Sequence, residues 1–164
     1  MKLTRYERIN LANQFKILAD LNDDEGYLIY SKILENGYED DYHIIFDNYD
    51  EVFTQDRCEF VKSVLEMYEF IQLAGKESKN ELILEHRFFK FRGYDGNNEG
   101  QYMRYARFVI NDLDMWDYLE VAKKDLNSHM PMHHRYSAML DVFVNCEDKY
   151  NLTEGEVLDI LDAK

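Results

Sequence analysis

Proline is almost absent: one residue, Pro131, in a chain of 164. That excludes a proline-rich linker protein and suits a helical one, because proline breaks helix interiors. Glycine is sparse at seven residues, and no Gly-x-Gly-x-x-Gly, P-loop or Gly-x-Ser-x-Gly sequence occurs. The backbone cradles those motifs build for phosphates and acyl groups are therefore missing. Cysteine is limited to Cys58 and Cys146, each with apolar neighbours at helical spacing. We read them as two buried reduced thiols rather than a secreted disulfide. No run approaches the ~20 apolar residues of a membrane span. The first residues, MKLTRYERINLANQF, contain no signal-peptide core of roughly 7–15 apolar residues. A cytoplasmic location with no membrane partner is the expectation. Positive charge is also short: 19 Lys and Arg against 33 Asp and Glu, for a net charge of −14. Residues 1–80 carry 9 basic and 17 acidic groups and the rest 10 and 16, so neither half is a basic domain. Nucleic acid is disfavoured as a partner, since phosphate neutralisation supplies most of such affinity.

What is present is apolar and aromatic. A hydrophobic content of 46% with 15% aromatic residues excludes a disordered chain despite the charge. The length predicts one domain, residues 1–164, able to bury roughly 70% of its unfolded surface. Apolar spacings of three and four dominate and predict an all-α bundle of seven or eight helices. Thr4 and Glu7 form a capping box ahead of a helix over about 4–20, with Leu11, Phe15 and Leu18 on one face beside Ala12 and Ala19. A second helix over about 24–36 turns Tyr30, Ile33 and Leu34 inward and stops at Gly37. Residues 35–56 hold eight acids and no Lys or Arg, with a short helix near 40–47 and an irregular link through Tyr49. The strongest helix opens at Thr54, carries Cys58, Val61, Leu65, Tyr68 and Gln72 flanked by Val64 and Ile71, and is expected to end at Gly75. Residues 81–95 read either as a helix end or as a short extended piece near 87–93. Helices are expected over about 98–112 and 114–124. Another follows Pro131, in its first turn, with Met132, Tyr136, Met139, Leu140 and Phe143 inward. A second capping box, Thr153 with Glu156, opens the last.

The order of Leu3-Thr4-x-x-Glu7-Arg8, Asn13-Gln14-Phe15-Lys16, Leu34-Glu35-x-Gly37-Tyr38, Glu66-Met67-Tyr68, Phe91-x-Gly93-Tyr94-Asp95, Tyr105-x-Arg107-Phe108, Asn127-x-x-x-Pro131-Met132 and Cys146-x-x-x-Tyr150-x-Leu152-Thr153-x-x-Glu156 resembles the YfbU family of bacterial proteins. The resemblance runs over almost the whole chain. Each motif is weak alone; their order and spacing carry the likeness. It implies a single all-helical unit of this length and carries over no catalytic residues. It gives no fixed residue type to the acidic 39–56 stretch or to His129, His133 and His134, which argues against a shared histidine site.

His129 and His133 are four apart, a zinc spacing, but Pro131 lies between them and no His-Glu-x-x-His exists. A polar helix start is the plainer reading. Asp95-Gly96-Asn97-Asn98-Glu99-Gly100 imitates the opening of a calcium loop, yet its twelfth position is Ala106 rather than Glu. Asp20-Leu21-Asn22-Asp23-Asp24 has Glu25 where such a loop needs Gly. Cys58 sits mid-stripe and Cys146 beside Glu147 and Asp148, so neither is set up as a nucleophile. No metal or cofactor is expected. One feature stands out. Arg87, Lys90, Arg92, Arg104 and Arg107 form a cationic island with only Asp95 and Glu99 among them, interleaved with aromatic residues. We expect it to dock on acid, from the 35–56 stretch, from a neighbouring subunit or partner protein, or from an anionic ligand. Thirteen Tyr, ten Phe and seven Met exceed what a core of this size needs and suit a subunit interface. The leading expectation is a non-enzymatic interaction or regulatory protein that forms a homo-oligomer and engages a protein partner. The alternative is a small hydrolase or nucleotide-handling enzyme with an arginine and carboxylate pocket.

Overall fold

The computed structural model describes residues 2–47 and 51–164. Among them are eight α-helices and no β-strand. The chain packs as two compact units, Met1–Val52 and Phe53–Lys164.

The first unit is a helical hairpin, α1 (Arg5–Asn22) and α2 (Gly26–Asn36), followed by the short α3 (Tyr42–Phe46). The capping box forms as expected: Thr4 N donates to Glu7 Oε2 at 2.7 Å and Glu7 N to Thr4 Oγ1 at 3.3 Å. Asp23, at φ 51°, closes α1 in the left-handed conformation, and Gly37 at φ 69° closes α2. Arg8 Nη1 donates to Leu34 O at 3.2 Å, satisfying a carbonyl at the end of α2. The buried core holds Ala12, Ile33, Leu34, Tyr42 and Ile45. Ala12 and Ala19 take the inward positions on α1, while Leu18 is 36% exposed rather than buried. The irregular link expected through Tyr49 falls at residues 48–50, outside the described residues.

The second unit is built on α4 (Gln55–Ser78), whose stripe of Val61, Val64, Leu65, Tyr68, Ile71 and Gln72 is buried as the spacing predicts. The helix does not stop at Gly75. It runs one turn further and is closed by Lys79 at φ 56°. Gly75 is buried there because two neighbours use the room of its absent side chain. A Cβ would lie 2.6 Å from the Phe89 ring and 2.9 Å from Ile83. Around α4 lie α5 (Glu81–Leu84), α6 (Gly100–Arg107), α7 (His133–Phe143) and α8 (Glu154–Asp162). The helix expected over 98–112 is α6 continued by a π-helical turn, Phe108–Asp112. Pro131 precedes α7 rather than entering its first turn, since the cap is Met132. Tyr136, Met139 and Phe143 are buried, but Leu140 only partly so.

The helix expected over 114–124 does not form. Asp114 and Trp116 have φ of 52° and 56°, which interrupt a right-handed helix. The segment is instead tied to α4 by side chains. Trp116 Nε1 donates to Glu69 Oε2 at 2.9 Å and Tyr118 OH to Glu69 Oε1 at 2.5 Å. Gln72, buried on α4, receives Glu120 N at 2.8 Å and donates to Glu120 O at 2.9 Å and Phe89 O at 3.2 Å. Its amide thereby holds two extended pieces side by side, and they bridge in parallel at Phe91 with Val121 and at Tyr94 with Asn127. The ambiguous 81–95 region is thus a single helical turn followed by an extended piece. Gly93, at φ 75°, lets that piece press on its neighbour: a Cβ would fall 1.9 Å from Leu126 O.

Candidate functional site

The extended piece delivers two arginines, and the neighbouring helix a third. Arg87 is exposed, with its guanidinium carbon 4.3 Å from the centre of the Phe88 ring. Arg135, on the first turn of α7, sets its own 4.2 Å from the same ring. Phe88 is 3% exposed, so this ring is a buried platform carrying two guanidinium groups, each a favourable cation–π contact. Arg92 is half-buried and reaches back from Nη1 to Arg87 O at 3.4 Å. Arg135 Nη2 donates to Leu161 O at 2.8 Å, at the end of α8. Burial and the charge of Arg87 both weaken the hold of Arg135 on its proton, with Asp162 acting in the opposite sense. Tyr68 is fully buried, its hydroxyl pushed well above the ordinary range by desolvation, against which Tyr136 acts first, then Arg135 and Arg92. Arg92 Nε and Arg135 Nε are buried donors without an acceptor.

Arg135 is placed here by a second buried charge. Glu99, at 9% exposure, turns its carboxylate to the start of α7. Oε1 accepts from His133 N at 2.7 Å and Met132 N at 2.9 Å, and Oε2 accepts from Asp95 N at 3.0 Å. A carboxylate at a helix N-terminus is doubly favoured, by the unpaired N–H groups and by the helix dipole. Asp95, buried at 3%, accepts from Asn97 N at 3.2 Å and from Asn98 Nδ2. The acids of the imitation calcium loop are thus occupied with backbone and amide hydrogens.

The island proposed from sequence divides. Arg87 and Arg92 belong to the cluster just described. Lys90 Nζ lies 3.3 Å from Glu120 Oε2, and Lys76 Nζ 3.1 Å from Glu120 Oε1. Arg104 is exposed on α6 and takes part in interactions of its own. Arg107, at the end of α6, donates from Nε to Asp125 O at 2.7 Å and also from Nη2. The acceptor is a main-chain carbonyl, not a carboxylate.

The three histidines do not converge. His129 is exposed at φ 53°, His133 stacks on Phe60 at 4.4 Å, and His134 is exposed. Among the described residues, no group of three His, Cys, Asp or Glu side chains is placed to hold a metal ion. Cys58 and Cys146 are free and half-buried, less enclosed than the sequence suggests. Burial followed by Glu156 raises the Cys146 thiol. No helix among the described residues is long and apolar enough to cross a membrane.

A different kind of surface lies on the first unit. The outward side of α1 exposes Tyr6 (75%), Ile9 (49%), Ile17 (57%) and Leu21 (75%), with Asn10 and Asn13 between them. These positions repeat at three and four, so they form one stripe on the side away from Ala12 and Ala19. The ends of the stripe differ in charge. Lys2 and Arg5 stand near its amino end beside Glu7, whose carboxylate caps the helix, while Arg8 turns to α2; Asp20, Asp23, Asp24 and Glu25 stand at its carboxyl end.

Comparison with known proteins adds the family. The YfbU domain model matches residues 1–163. A UPF0304 protein of Methanocaldococcus jannaschii is 35% identical over 167 residues, covering 98% of this chain and 99% of that one. The chain belongs to the YfbU family.

Proposed function

We propose that this member of the YfbU family is an interaction protein that works by self-association, and that two copies meet through the outward stripe of α1. The carrying observation is the exposure of Tyr6, Ile9, Ile17 and Leu21 on one side of a single helix. A row of large apolar side chains in water marks an interaction surface, whereas isolated ones are ordinary. The charge at its ends selects the occupant. Laid antiparallel on a second copy, the basic end of each α1 faces the acidic end of the other. Laid parallel, like charge meets like. A twofold axis perpendicular to the helices generates such an antiparallel pair, and twofold dimers are the commonest symmetric assembly.

The test is sedimentation equilibrium at micromolar concentration. A mass near twice 19.8 kDa is expected for the natural sequence. Ile17→Glu should weaken association at least tenfold, because a carboxylate would have to be buried in the contact. Arg5→Glu and Asp20→Lys should each weaken it a few-fold, as rim charges do, and the double variant should recover. A 19.8 kDa mass throughout, or an Ile17→Glu variant that associates unchanged, would refute the proposal.

A further inference from the structure

We propose that a cavity between α4 and the segment around Tyr118 is a binding site for a primary alkyl ammonium ion, with Glu69 holding its charged head. The cavity measures about 160 Å³ and is lined by Glu69, Gln72, Leu73, Lys76, Tyr118 and Leu119. A space of that order takes a benzene-sized group, so the occupant is small. Leu73 and Tyr118 are exposed, which leaves the cavity open on one side.

Hydrogen-bond accounting decides what polar group it takes. Gln72 is engaged at both ends of its amide, donating to Phe89 O and Glu120 O and accepting from Glu120 N. Of the two charged groups in the lining, Lys76 turns its ammonium to Glu120 Oε1 at 3.1 Å. Glu69 is the charged group with capacity left. Its oxygens accept one bond each, from Trp116 Nε1 and Tyr118 OH, whereas an ionised carboxylate offers about four acceptor positions. Both of those donors are neutral, so neither cancels the negative charge. The field has the same sign at the Tyr118 hydroxyl, which is pushed up to about 12 by burial first, then by its bond to Glu69 and the charges of Glu69 and Asp117.

The ligand class follows from the lining. Leu73, Leu119, the Tyr118 ring and the stem of Lys76 are apolar walls. A cationic donor on a short hydrocarbon chain answers both to those walls and to Glu69, because a bond between a charged donor and a carboxylate is the strong kind. An alkyl amine is protonated at neutral pH, as lysine is. A carboxylate ligand would meet Glu69 as like charge, and an alcohol would leave its charge unanswered. The lysine side chain is itself such a chain and head, so the ligand is a free amine or a lysine carried on a larger molecule. The cavity lies in the second unit and the α1 stripe in the first, and either reading can fail alone.

Trp116 is the only tryptophan and its indole N–H rests on Glu69, so one NMR signal reports on the site. That signal should shift saturably on titration with n-butylammonium and with Nα-acetyl-lysine amide at matched ionic strength. 1-Butanol and butyrate should bind at least tenfold more weakly than butylammonium. Tighter butylammonium assigns the site to a free amine, and tighter acetyl-lysine amide to a lysine carried on a larger molecule. Glu69→Gln should lose at least tenfold for butylammonium and leave 1-butanol unchanged. Leu73→Arg changes an exposed position four residues after Glu69 on the same helix, where a guanidinium pairs favourably with the carboxylate. It should fold normally and also lose at least tenfold, because the chain then supplies the cation itself. Arg107→Gln, which bonds the Asp125 carbonyl, should bind as the natural sequence does. A signal that does not saturate, equal affinity for butylammonium and 1-butanol, or a Leu73→Arg variant with unchanged affinity would overturn the assignment.

Discussion

Glu99 offers the sharpest test of how the second unit is held together. Its carboxylate accepts three backbone N–H groups, from Asp95, Met132 and His133. Two of them belong to the start of α7, which brings Tyr136, Met139 and Phe143 to the core. Glu99→Ala leaves all three donors without acceptors in a buried setting. A stranded buried donor costs about 1–3 kcal/mol, and loss of a helix cap about 0.5–2 kcal/mol. The N–H groups can partly rehydrate as the first turn frays, so the penalties do not sum. We expect about 3–5 kcal/mol in total, a large share of the 5–15 kcal/mol that holds an ordinary domain. Glu99→Gln keeps the volume and one oxygen, but turns an NH2 toward an N–H. It should cost about 1–2 kcal/mol, the loss of one charge-assisted bond. Urea unfolding followed by circular dichroism gives both values, provided the slope with denaturant is unchanged. If Glu99→Ala costs less than about 1 kcal/mol, or if Gln proves worse than Ala, the carboxylate is not the cap.

Three further outcomes follow from the packing. Gly93→Ala should destabilise strongly, by about 3 kcal/mol or more, since the new Cβ meets Leu126 O at 1.9 Å and φ is 75°; thermal unfolding near the natural midpoint would contradict it. Leu65→Ala, at a fully buried position, should cost roughly 2–5 kcal/mol, and Leu140→Ala distinctly less because that side chain is half-buried; equal midpoints in urea would reverse the assignment. The third concerns acid. Glu120 is held below its ordinary value of 4.5 first by its hydrogen bond to Lys76; burial opposes this, and the hydrogen bond to Lys90 lowers it further. A lowered folded value means that the stabilisation is present above the unfolded value and disappears as pH falls through the folded one. Glu120→Gln should therefore flatten the loss of melting temperature below pH 4.5, at a neutral-pH cost of about 0–1 kcal/mol because the pair is well solvated. Identical acid limbs in the two proteins would remove Glu120 as a contributor.

Much of the fold was legible from spacing and caps. Both capping boxes form, with Thr153 N donating to Glu156 Oε2 at 2.8 Å, because a hydroxyl and a carboxylate three residues apart answer to local geometry alone. The stripe on α4 is legible for the same reason. Gly75 misled, because a glycine signals both a helix stop and a close approach, and only the position of Phe89 decides between them. Residues 114–124 misled more deeply. Trp116, Tyr118 and Leu119 have helical spacing, yet Glu69 and Gln72, some 47 or 48 residues earlier, outbid local preference by holding both side chains and backbone.

The candidate site was half legible, and the missing half had a signal. Arg87 and Arg92 were visible as cations in an acidic chain; of the cations grouped with them, Lys90 docks on the Glu120 carboxylate and Arg107 on the Asp125 carbonyl. The island was a property of the sequence and the cluster is a property of the fold. Arg135 joins it from another helix, held by the carboxylate of Glu99 at the start of α7. The clue lies in helical spacing. Arg135 stands three residues after Met132 and four before Met139, both fully buried, so it occupies a place on the apolar stripe. A charge there must either find a partner or have a use. In this fold it finds a carbonyl, an aromatic ring and another arginine, and no carboxylate within ion-pair distance among the described residues. Helix packing alone would be served better by a methionine or leucine, which pay no desolvation cost. The guanidinium instead serves the fold, satisfying the Leu161 carbonyl at the end of α8 and resting on the Phe88 ring.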